Sequence, residues 1–165
     1  MDWKLKLNWK LIRDEASNFD LDPLLVAAII GQESKGDPYA IRYEAKYRYR
    51  KEPFKWAKLN GISEETENLL QSCSIGLMQV MGCKARELGH SGSLLELVEP
   101  DISIELGCTY LRNLYQKYTT VGDIISAYNG GSAQFETSGK YKNQTYVNKV
   151  LEYYSDLKKG EGKWQ

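Results

Sequence analysis

The stretch DPLLVAAIIGQESKGDP, Asp22 to Pro38, decides how the rest of the chain is read. Asp22 suits a helix N-cap and Pro23 the first helical position, and Leu25, Val26, Ile29 and Ile30 continue an apolar face through the following turns. Gly36 and Pro38 end the helix, which leaves Glu33 in its last turn. There the unpaired carbonyls and the negative end of the helix dipole disfavour a carboxylate, and apolar neighbours add a desolvation cost. Both effects predict a raised pKa. A carboxylic acid that stays protonated near neutral pH can donate a proton to a glycosidic oxygen. Position alone fits a solvated glutamate equally well, so the reading depends on what else the chain supplies.

Two further segments supply it. SIGLMQVM, Ser74 to Met81, places an amide and thioethers among apolar residues, and AYNGG, Ala127 to Gly131, brings a tyrosine to a turn-forming run. An amide amid Leu77, Met78 and Val80 is costly to bury without partners, which favours a cleft floor for Gln79. For Met81 a core role and a cleft role both remain open. Asn129, Gly130 and Gly131 together turn a chain readily with positive φ. An acid at a helix end, with an amide, a thioether and a tyrosine from separate segments, points to a carbohydrate-cleaving cleft.

The rest of the pattern is helical. Leu5, Trp9, Ile12, Ala16 and Phe19 predict a first helix packed on the Glu33 helix. Leu77, Met81, Ala85 and Leu88 predict a helix that begins inside GLMQ and stops at Gly89. Ile104, Cys108, Leu111, Tyr115 and Tyr118 mark a long buried helix after Pro100. Val121 to Tyr128 read as a short helix broken at Asn129, and Val147, Val150, Leu151, Tyr154 and Leu157 define the last one. Residues 159–165 read as a loose tail.

Glu33-Ser34, Gly76-Leu77-Met78-Gln79 with Met81, and Ala127 to Gly131 followed by Tyr146, Val147 and Val150 resemble the catalytic domain of soluble lytic transglycosylases. DISIELGCTYLRNL, Asp101 to Leu114, is similar to the stretch between that family's second and third motifs. The ordered pieces cover about residues 20–157. The resemblance implies a mainly α, lysozyme-like fold of the goose-type lysozyme and transglycosylase kind, as a single domain over residues 1–165 with an inserted segment at about 42–71. It also implies cleavage of the β-1,4 bond between N-acetylmuramic acid and N-acetylglucosamine in peptidoglycan, with a 1,6-anhydro product and Glu33 as both acid and base. Carried over by position, Gln79 and Met81 contact substrate, Tyr128 and Tyr146 are the site's tyrosines, one of them bonded to the glutamate, and Asn129 holds its turn. Ser34 and Ser74 are further candidate substrate contacts. The family often has proline where this chain has Gly82.

A hydrolase of this type would use a second carboxylate, and none stands out: Asp37 precedes Pro38 and suits a turn cap. The alternatives to the transglycosylase are a hydrolytic lysozyme on the same fold and a non-catalytic wall-binding or virion scaffold domain. Composition is that of an ordinary globular chain, with 42% hydrophobic and 27% charged residues in 165. Lys plus Arg and Asp plus Glu number 22 each, so no global field favours nucleic acid or a membrane surface. Residues 42–58 are different. Seven basic residues face two acids there, interleaved with Tyr43, Tyr47, Tyr49, Phe54 and Trp56. Such a segment suits sugar stacking, an anionic wall polymer or single-stranded nucleic acid, but the favoured reading is aromatics packed on the domain with their cations in water.

No run is long and apolar enough for a membrane span, and no signal peptide is evident. Cys73, Cys83 and Cys108 are odd in number and unrelated in spacing, which argues for free thiols. The expectation is synthesis in a bacterial cytoplasm, as a phage lysin or virion component, and action at the wall or periplasm as a monomer on glycan strands. No cofactor, metal or nucleic-acid partner is expected, and His90 is expected to be a solvated loop residue.

Overall fold

The computed structural model describes residues 2–160 and is mainly helical. Its helices are α1 (Trp9–Asn18), α2 (Pro23–Glu33), α3 (Pro53–Asn60), α4 (Glu64–Gln71), α5 (Gly82–Glu87), α6 (Pro100–Tyr115), α7 (Val121–Gly130) and α8 (Gln144–Lys159). Three short strands, β1 (Ile41–Tyr43), β2 (Cys73–Ile75) and β3 (Val80–Met81), form an antiparallel sheet in that order. The chain divides into two compact units, residues 1–36 with 108–165 and residues 37–107.

In the first unit α2 is the centre. Its N-cap Asp22 accepts from the Leu24 N–H at 2.8 Å and Pro23 opens the helix, as the sequence predicts. Leu24 to Gly31 are all buried, so α2 is enclosed on every side and not along one stripe. Full burial of each Leu, Ile or Val stabilises by roughly 1.5–3 kcal/mol, which makes this helix the main contributor to the unit's core. Gly31 has a packing reason: a Cβ there would lie 2.4 Å from the Trp3 ring. Helix α1 packs on α2 through Ile12 and Ala16, and α8 packs on both α2 and α7. Leu5 was expected on the α1 face, but it precedes the helix and is 73% exposed; Leu7 is buried in its place. On α8, Val147, Val150 and Leu157 are buried as expected while Leu151 faces solvent.

The second unit departs most from the helical expectation. GLMQ is the turn of a hairpin, in which Ser74 pairs with Met81 and Ile75 with Val80. Gly76 has φ +79 and Gln79 φ 50, a left-handed pair incompatible with a helix starting there. Gly76 is also required by space, since a Cβ would sit 1.9 Å from the Leu97 carbonyl oxygen. The apolar spacing of Leu77, Met81 and Ala85 therefore reflects burial in a turn and in α5, which begins only at Gly82 with Met81 as its N-cap. Gly82 answers the missing proline: the Leu70 carbonyl oxygen lies 2.4 Å from where a Cβ would be, so α4 leaves no room for a side chain. Met78 is fully buried against Gly107 of α6.

The unit's polar core is a fully buried pair. Arg86 donates from Nε and Nη2 to the two Glu67 carboxylate oxygens at 2.8 and 3.0 Å and from Nη1 to the carbonyls of His90 and Gly92, both at 2.8 Å. Its guanidinium lies 4.8 Å from the Trp56 ring centroid. This network accounts for Trp56, which is buried. Tyr47 is half-buried and its hydroxyl accepts from the Cys83 thiol at 3.1 Å. Tyr43, Tyr49 and Phe54 are exposed, so the packing expected of the 42–58 aromatics holds for only two of the five. His90 is also not solvated: its side chain is only 12% exposed, and Nε2 is 3.0 Å from the Ser93 carbonyl oxygen.

Three boundaries shift. Helix α6 ends at Tyr115, with Tyr118 beyond it, and α7 runs through Asn129 and Gly130 to a C-cap at Gly131, φ +76. The chain therefore breaks at Gly131 alone, and Asn129 is helical. Lys159 belongs to α8 and Gly160 caps it; the remainder of the expected tail, residues 161–165, lies outside the described residues.

Candidate active site

Glu33 closes α2, as the sequence predicts, and is half-buried. Tyr146, in the first turn of α8, donates its hydroxyl proton to Glu33 Oε1 at 2.5 Å. The contact follows from antiparallel packing. Tyr154 near the other end of α8 bonds Asp22 at the start of α2; at a rise of about 1.5 Å per residue the two helices run about 12 and about 16 Å between these ties. Two tyrosine–carboxylate bonds thus fix the register of α8 against α2, and the one at the active end holds the Glu33 side chain in place.

Tyr128 on α7 is buried, with its ring 5.1 Å from that of Tyr110 at 37°. Burial, with the nearby charges of Glu33, Tyr110 and Cys108 adding to it, holds its hydroxyl well above the usual tyrosine range. It is a permanent neutral hydroxyl beside the acid. Ser34 is buried and its Oγ donates to the Ile30 carbonyl at 3.3 Å, a back-bond within the helix. Asn129 Oδ1 accepts from Asn143 Nδ2 at 3.0 Å, and Asn143 also bonds Ser126 through its side chain (2.7 Å) and backbone carbonyl (3.0 Å). Asn143 and Tyr110 are the residues the sequence reading missed. Asn143 stands where a helix cap belongs, yet makes no cap bond and ties α7 to the start of α8. Tyr110 lay in a stretch read as plain core.

The second unit carries the other candidates. Gln79 Nε2 donates to the carbonyls of Ala40 (2.8 Å) and Gly76 (3.0 Å), tying the hairpin turn to the residue before β1. Both donors are thus committed to the fold. Among the described residues Oε1 has no partner, so the group that Gln79 offers outward is an acceptor. Ser74 Oγ contacts Met81 Sδ at 3.2 Å across the strand pair, with Ser74 buried and Met81 half-buried. Asp37 caps the turn after α2 by accepting from Tyr39 N–H at 3.0 Å, as its place before Pro38 predicts. The three cysteines are free and buried.

The chain is similar to a transglycosylase of Enterobacteria phage PRD1, with 27% identity over 143 residues, covering 87% of this chain and 41% of that protein. It is also similar to membrane-bound lytic murein transglycosylase E of Buchnera aphidicola, with 28% identity over 153 residues, covering 83% of this chain and 57% of that protein. The chain therefore spans about half the length of these curated relatives. Among the described residues no helix is long and apolar enough to cross a membrane. Residues 10–150, a span that contains Glu33, the hairpin, α7 and the start of α8, match the model of the transglycosylase SLT domain, and the chain belongs to that family.

Proposed function

We propose that the chain is a peptidoglycan lytic transglycosylase acting as a single catalytic domain on glycan strands of the bacterial wall. Protonated Glu33 gives its proton to the oxygen linking N-acetylmuramic acid to N-acetylglucosamine, and the C1–O bond breaks with the substrate's N-acetyl oxygen stabilising C1. The Glu33 carboxylate then takes the proton of the C6 hydroxyl, whose oxygen closes on C1. A 1,6-anhydro sugar leaves and Glu33 is protonated again, with no water consumed and no cofactor required. The observation that carries this reading is the Tyr146–Glu33 bond, which orients the acid by a neutral hydroxyl through both half-reactions.

Tyr128 supplies a second neutral hydroxyl, and Asn129 acts through Asn143 to hold the α7 end. Gln79 accepts through Oε1 from a substrate N–H or O–H, Met81 forms an apolar wall that Ser74 positions, and Ser34 shapes the helix end. Similarity to a phage transglycosylase supports a phage lysin or virion component acting at the wall. Mass spectrometry of muropeptides released from purified peptidoglycan tests the proposal. Anhydro-muramyl ends are expected; reducing ends, heavier by one water, would mean a hydrolytic lysozyme, and no release would favour a wall-binding scaffold.

A further inference from the structure

Ahead of α1 the chain makes a single 3-10 turn, Trp3–Lys6, whose N-cap Asp2 accepts from the Lys4 N–H at 3.2 Å. The indole N–H of Trp9, at the start of α1, donates to the Lys4 carbonyl at 3.2 Å and ties the turn to that helix. The turn lies across the end of α2 at two glycines. At Gly31 a Cβ would meet the Trp3 ring at 2.4 Å, and at Gly36 one would meet Leu7 Cδ2 at 3.2 Å and the Trp3 carbonyl oxygen at 3.4 Å. Glu33 stands between these two contacts in the chain. We propose that Trp3 is a positioning residue for the acid, and that the turn it anchors braces the last turn of α2 so that the Glu33 carboxyl keeps one place. The effect on cleavage rests on the transglycosylase reading; the hold on the helix end does not.

The need for a brace follows from where Glu33 sits. The end of a helix runs out of onward hydrogen bonds and frays. Past Glu33 the Ser34 N–H still donates to the Ile30 carbonyl at 3.0 Å, but Lys35 and Gly36 then turn the chain with φ of 55 and +71, a left-handed backbone that is costly for a lysine. Packing supports that reversal. Gly36 meets Leu7 and the Trp3 backbone, while the Lys35 ammonium donates to the Tyr153 hydroxyl and lies 4.3 Å from its ring centroid. Tyr153 in turn packs on Trp3, with ring centroids 5.3 Å apart at 60°. Trp3 therefore touches Gly31 before the acid, Gly36 after it, and the ring that holds Lys35. Residues two apart lie about 200° round a helix axis, so the indole presses the side of α2 opposite Glu33 while Tyr146 bonds the carboxylate. The glycine that admits the ring costs α2 helix propensity relative to alanine.

The test has one readout on the helix end and one on the reaction, both on the full chain. Amide hydrogen exchange at Ser34 should be about tenfold faster in Trp3→Ala, while Ala27 and Ala28 in the middle of α2 keep their rates. Trp3 is half-buried and outside the long helices, so the variant should fold. Trp3→Phe keeps a ring over Gly31 and should restore most of the protection. Gly31→Ala supplies the clashing Cβ and should also speed Ser34 exchange, although alanine favours the helix; added to Trp3→Ala it should bring no further loss. Equal Ser34 protection in all variants would overturn the proposal, and so would an equal loss along the whole of α2, which would make Trp3 a general packing residue. On soluble glycan strands kcat should fall about tenfold in Trp3→Ala with KM unchanged, and recover in Trp3→Phe. Unchanged kinetics, or a raised KM with kcat intact, would refute the positioning role. Faster Ser34 exchange in a protein that cuts no strand in any form would uphold the brace while removing the transglycosylase reading.

Discussion

Replacing Tyr146 by phenylalanine removes one oxygen and leaves the ring, so it tests the bond to Glu33. A hydrogen bond to a charged group contributes about 1.5–3 kcal/mol. Both residues are half-buried, so water can partly replace the lost donor and the lower end applies. About 1.4 kcal/mol corresponds to a tenfold loss of kcat/KM, well short of removing the acid itself. The assay is clearance of purified peptidoglycan across a pH series, with thermal melting alongside. Loss of a donor to the carboxylate favours its protonated form, so the alkaline limb of the profile should move up by about one pH unit. The melting temperature should stay within about 4 °C, the equivalent of a kcal/mol or so in a chain of this size. If kcat/KM and the alkaline limb both match the unaltered protein, Tyr146 does not position the acid and the reasoning fails.

Glu33→Gln keeps the shape and removes the titrating proton; wall cleavage should fall by several orders of magnitude with little change in urea midpoint, and retained activity would end the catalytic assignment. Arg86→Met leaves Glu67 as an uncompensated buried charge and should cost about 3–5 kcal/mol by urea denaturation, whereas a loss below about 1 kcal/mol would show that the pair is not the core of its unit. Cys108 gives a pH prediction. Burial raises its thiol from 9.0 to about 12, so the folded chain keeps a proton that the unfolded chain releases. Its contribution is present in full below about pH 9 and is lost as the pH rises towards 12, roughly 4 kcal/mol in all. Stability measured from pH 8 to 11 should fall less steeply in Cys108→Ala, and equal slopes would count against the account.

Residues 22–38 determined α2 without help from the rest of the chain, because a cap, a proline and a breaker act locally, over one or two turns. The same holds for the turn cap at Asp37 and for the apolar faces of α1, α6 and α8, where periodicity reports burial. Glu33, Tyr146 and the hairpin sequence could be singled out in advance because their motifs occur in order. What the sequence could not convey was anything set by distant backbone. The hairpin was misread as a helix start because Gly76 and Gln79 are left-handed there and the Leu97 carbonyl leaves no room for a side chain at Gly76, and Gly82 looked anomalous until Leu70 came up against it. Burial of Trp56 among exposed Tyr43, Tyr49 and Phe54 likewise depends on where Arg86 and Glu67 meet, and the open cleft at Gln32 and Tyr146 exists only because α8 lies beside the last turn of α2. Local preference is written in neighbouring residues, but a steric limit or a shared cleft arises only when separate segments are brought together by packing.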